Sequence, residues 1–164
     1  MIISLNNIEH PKRLELISFK MDFNRNLVYI LTNGYLLVTF NLKSKEIENV
    51  LKLKGFKLRM FFLRKSDWLV FVDNRSEILI LEYNQKQFHT IMRLDFGLIH
   101  LEKVEEILHG KVALLDRGGE LGFYEIDLRL KKMEQTNRLR PLLNESIKDF
   151  LYIPSVGVIR SPSC

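Results

Sequence analysis

Short apolar runs broken by polar turns recur along the chain. Their β-branched and aromatic content predicts strands rather than helices. The clearest pair is Trp68 to Val72 (W-L-V-F-V) and Glu77 to Tyr83 (E-I-L-I-L-E-Y), joined by a turn at Asp73 to Ser76. The same order stands before it. Leu14 to Met21 alternates with one break, Leu27 to Leu31 and Tyr35 to Leu42 are apolar, and Ile47 to Leu53 is a weaker strand. Asn33-Gly34 is a signal for a type I′ hairpin turn, because both residues tolerate positive φ. Ahead of these, Ile2 to Leu5 is a short strand candidate.

In the second unit Phe56 to Leu63 precedes the central pair, and Phe88 to Leu94 follows as a weaker outer strand. The third opens ambiguously. Leu101, Val104, Ile107 and Leu108 share a face at helical spacing with Gly110 placed as a cap. The order of the neighbouring units argues for a strand there instead. Lys111 to Leu115 and Leu121 to Ile126 complete its centre. A last unit begins near Ser146, with strands at Ile147 to Ile153 and from Val156 to Ile159.

Aligning the second strands exposes a period. Leu27, Trp68, Lys111 and roughly Val158 occupy equivalent places, spaced by 41, 43 and 47 residues. Val72 to Asn84 aligns without a gap to Leu115 to Asp127, pairing Asp73 with Asp116, Glu77 with Glu120 and Glu82 with Glu125. A period of roughly 40 to 45 residues with four strands per unit is the mark of a propeller blade. A small twisted sheet has two apolar faces, so blades stack to bury both. On these residues the chain resembles the WD-repeat family of β-propellers. It departs from that pattern in having no Gly-His opening a blade and no Trp-Asp closing a third strand, where Tyr83-Asn84 and Ile126-Asp127 stand.

The expected fold is therefore all-β, with four-stranded antiparallel blades at about 14–53, 56–94 and 98–135, and a truncated unit at 147–164. A closed propeller takes about four to eight blades. Three blades and partial ends thus imply an incomplete or open array: a fragment, a truncated product, or an open array completed by another chain.

Composition narrows the chemistry. A chain of 164 residues that is 46% hydrophobic and 27% charged has globular balance. Net charge of +5 is compatible with nucleic acid, acidic lipid or acidic protein partners. The single cysteine, Cys164, permits no intrachain disulfide, which fits an intracellular setting, cytoplasmic or nuclear. No apolar run is long enough to predict a membrane span.

No metal site is expected, because His10, His89, His100 and His109 lack ligand spacing. No phosphate loop or nucleophile elbow occurs, so neither a cofactor nor catalysis is expected. Asp73 and Asp116 read as turn caps and Trp68 as a core residue. Arg129 to Arg140 holds Arg129, Lys131, Lys132, Arg138 and Arg140, a candidate contact for a polyanion or partner on an inter-blade loop. Without interleaved aromatic residues a solvated loop is the simpler reading. A second basic set, Lys52, Lys54, Lys57, Arg59, Arg64 and Lys65, reads as the wet side of outer strands.

Three functions follow in order. The resemblance implies a non-enzymatic scaffold for protein–protein interactions. A propeller subunit of an RNA-containing complex comes second, and an enzyme or ligand-binding propeller using its axial channel third.

Overall fold

A computed structural model describes residues 15–53, 59–73, 77–95, 101–139, 147–153 and 157–162. The strand expected at Ile2 to Leu5 lies outside them. Every regular element among them is a strand. The first sheet holds β1 (Leu16–Asp22), β2 (Leu27–Thr32), β3 (Leu36–Asn41) and β4 (Glu46–Lys52). The second holds β5 (Arg59–Leu63), β6 (Trp68–Val72), β7 (Glu77–Asn84) and β8 (Gln87–Asp95). The third holds β9 (Leu101–Leu108), β10 (Lys111–Asp116), β11 (Leu121–Asp127) and β12 (Lys132–Leu139). The pair β13 (Ile147–Ile153) and β14 (Gly157–Pro162) forms a fourth, two-stranded sheet. Each is an antiparallel meander in sequence order, and the array they form is open.

Period-2 alternation explains how the sheets stack. On β6, Leu69 and Phe71 join Tyr29, Leu31 and Leu37 of the first sheet. The intervening Trp68, Val70 and Val72 join Leu101, Val112 and Leu114 of the third. Strand β7 divides the same way, Leu79 and Leu81 to one side and Ile78 and Ile80 to the other. In β10, Val112 and Leu114 face the second sheet while Ala113 and Leu115 meet Ile147 and Phe150 of the fourth. A strand that serves two neighbours has no polar face, so its sequence is a continuous apolar run. Aromatic rings seal the first interface: Tyr29 lies 5.7 Å from Phe62 and 5.9 Å from Tyr83, centroid to centroid.

The first strands form the inner edge, with β5 contacting β1 on one side and β9 on the other. Strands β4, β8 and β12 are the outer edges.

The ambiguous segment is the strand that the order of the units favoured: it forms β9, whose Leu101 and Val104 pack against the second sheet. Three readings are corrected. The basic run is not a loop: Lys132–Leu139 is the outer strand β12, whose mostly exposed side chains gave no apolar pattern to read. Arg59 sits on the inner strand β5, and Arg64 and Lys65 in the β5–β6 turn, not on outer strands. Lys54 and Lys57 lie outside the described residues. Finally, Asn33-Gly34 does not form a two-residue primed turn. A three-residue loop, 33–35, carries its positive φ at Tyr35, with Tyr35 N–H donating to the Thr32 carbonyl at 3.0 Å. Type I geometry followed by one left-handed residue closes such loops. The primed two-residue turn is at Gln85-Lys86, both at positive φ.

Candidate functional site

The antiparallel meander places the β1–β2, β3–β4, β5–β6, β7–β8, β9–β10 and β11–β12 turns at one end of their sheets. Contacts between sheets show that these ends coincide. Arg25 donates through Nη1 to the Tyr83 carbonyl at 2.7 Å, and Asn49 donates to the Lys86 carbonyl at 2.8 Å. Ser66 bonds across to Glu106 and lies 3.2 Å from His109 Nδ1. The Ser66 hydroxyl donates to Glu106 and is approached by the Gly110 N–H. The cluster latches the β5–β6 turn to the β9–β10 turn.

The end so assembled is basic. Its first-sheet turns carry Arg25, Lys43 and Lys45, and its second-sheet turns Arg64, Lys65 and Lys86. The β11–β12 turn adds Arg129 and Lys131, and Asp67 is the single acid among these turn residues. At the other end, the described parts of the β2–β3, β6–β7 and β10–β11 turns hold Arg117, Asp73 and Glu120. Asp73 and Asp116 are equivalent caps there, accepting from the Glu77 and Glu120 N–H groups at 3.0 and 2.8 Å. Burial pushes the Asp116 carboxyl above its usual range, against the N–H bonds that favour its charge.

One detail recurs in every turn to an outer strand. The residue before β4 is Lys45 with φ 62°, before β8 Lys86 with φ 59°, and before β12 Lys131 with φ 50°. The left-handed region disfavours side chains with a Cβ, and Gly or Asn fills it more readily.

On the inner edge at this basic end, a cleft of about 360 Å³ opens between β1 and β5. Phe19, Phe23, Phe61 and Phe62 line it together with Lys20 and Arg64. Phe19 and Phe23 are 55% and 65% exposed, unusual for side chains of that size.

The structure separates the predicted contact residues. Arg129, Lys131 and Lys132 stand at the basic end, Lys132 paired with Glu134. Arg138 is at the far end of β12, paired with Glu120. Arg140 lies outside the described residues. What sequence reading missed is that Lys131 has counterparts in Lys45 and Lys86. Their common phase in the repeat, 45, 86 and 131, was the available signal.

Neither a protein-family model nor a curated protein sequence matches the chain. Solved structures do. Sqt1 of Saccharomyces cerevisiae superposes with a TM-score of 0.65 at 13% identity, over 87% of this chain and 39% of that one. A Lactobacillus plantarum protein gives 0.64 at 10% identity, covering 86% and 48%. BamB of Moraxella catarrhalis gives 0.58 at 11%, covering 90% and 44%. These neighbours are propeller proteins. The fold is a stack of β-propeller blades. The chain spans less than half the length of the structures it matches, and likeness at this identity speaks to fold alone.

Proposed function

We propose that the chain is a non-catalytic, WD-like propeller scaffold that mediates protein–protein contacts in an intracellular assembly. The observation that carries this is the cleft between β1 and β5. Its four phenylalanines and Arg64 are of the residue types enriched where proteins meet. A partner's apolar side chain seated there would meet the phenylalanine rings with Arg64 at its side, a residue type common in binding hot spots.

The test pairs two readouts on Phe19→Ser/Phe23→Ser. Because both side chains are largely exposed, the thermal midpoint should stay close to that of the parent. Crosslinking and mass spectrometry on the tagged chain in cells should show its principal partners lost. Retention of every partner by a folded variant would remove the cleft from the function.

A further inference from the structure

We propose that the basic turn end is a docking face for an anionic lipid membrane. Three observations carry this, and none depends on what occupies the cleft.

The charge is segregated by topology. Bases on outer strands discourage edge-to-edge pairing and need no other role. The bases at issue are in turns, where that explanation does not reach. Lys43, Lys45, Arg64, Lys86, Arg129 and Lys131 have no ion pair among the described residues.

The lysines are held against backbone preference. The residue that precedes each outer strand is a lysine in the left-handed region, where Asn or Gly would relieve strain. The sister turns at the same end fill the left-handed place before β2, β6 and β10 with Asn26, Asp67 and Gly110, so lysine before all three outer strands points to a use for its charge.

Apolar side chains stand beside the charge. Leu128 and Leu130 flank Arg129 in one turn, and Leu108 ends β9 beside the β9–β10 turn; all three are exposed. Leucine adds nothing to a phosphate backbone, which is read by charge and polar groups. Lysine is depleted from protein–protein interfaces. Basic turns with proud leucines match a third surface: headgroups attract the lysines, and leucines enter the acyl boundary. A scaffold docked this way works at a membrane face without spanning it.

The experiment is co-sedimentation of the full chain with vesicles of equal parts phosphatidylcholine and phosphatidylserine. Phosphatidylcholine vesicles, polyuridylate and polyglutamate serve as competing probes. The chain should pellet with the phosphatidylserine vesicles and remain in solution with phosphatidylcholine. Each basic residue near a membrane contributes about 1 kcal/mol, so Lys45→Asn/Lys86→Asn/Lys131→Asn should weaken binding about a hundredfold. The thermal midpoint of that variant should hold or rise, since Asn suits the left-handed turn. Leu128→Ser/Leu130→Ser should weaken vesicle binding as well, while leaving any weak attraction to polyuridylate unchanged. Absence of binding to phosphatidylserine vesicles overturns the proposal. So does tighter binding to polyuridylate or polyglutamate that ignores the leucine change, which would assign the face to nucleic acid or an acidic protein.

Discussion

Phe71→Ala should destabilise the chain by about 3–5 kcal/mol, the usual loss for a fully buried aromatic ring. Phe71 is 1% exposed and sits at the centre of β6, pointed at the first blade. Truncation removes its transfer energy and leaves a cavity among Tyr29, Leu31, Leu69 and Leu79. Strands β2, β3, β6 and β7 wall that space and are hydrogen-bonded into their own ladders, so little collapse is available to refill it. Domain stabilities are about 5–15 kcal/mol, and the variant should be close to unfolding. Urea unfolding followed by Trp68 fluorescence reads the loss. A cost below about 1 kcal/mol would mean that the first interface is not packed as described.

Asp22→Ala should cost roughly 3 kcal/mol, the low end for breaking a buried pair because Arg25 is partly exposed. Asp22 is 2% exposed and accepts the Arg25 Nε–H at 2.5 Å. It also accepts the Asn24 and Arg25 backbone N–H groups at 3.0 and 3.2 Å. Removing the carboxylate leaves Arg25 without its closest partner and two turn donors unpaired. It also loosens the bond from Arg25 to the Tyr83 carbonyl of the next blade. Asp22→Asn keeps an acceptor for the turn and should recover part of the loss. Equal stability of Asp22→Ala and the parent would show that the turn is held by something else.

The legible part of this fold was its interior. W-L-V-F-V and E-I-L-I-L announce strands covered on both faces, and the interval from Leu27 to Trp68 to Lys111 sets the blade. Edges were harder. Strand β12 has one side chain row against its neighbour and the rest in water, so K-M-E-Q-T-N-R-L offers no alternation. Leu101, Val104 and Ile107 fit a helix face equally well, and only the order of the neighbouring units favours a strand. The site was least legible. The run from Arg129 to Arg140 looks like one basic patch, yet an extended strand carries Arg138 to the opposite end of the blade. Conversely, Lys45, Lys86 and Lys131 are far apart in sequence and share an end only because each blade is a four-strand meander.

The central claim is that each blade face belongs to a different neighbour. A double-mutant cycle tests it most directly. Tyr29 and Phe62 meet across the first interface, whereas Val112 belongs to the second. Tyr29→Leu and Phe62→Leu should couple by about 0.5–1.5 kcal/mol, the worth of an aromatic pair. Tyr29→Leu and Val112→Ala should add within about 0.5 kcal/mol. Additivity in the first cycle together with strong coupling in the second would contradict the stacked-blade arrangement.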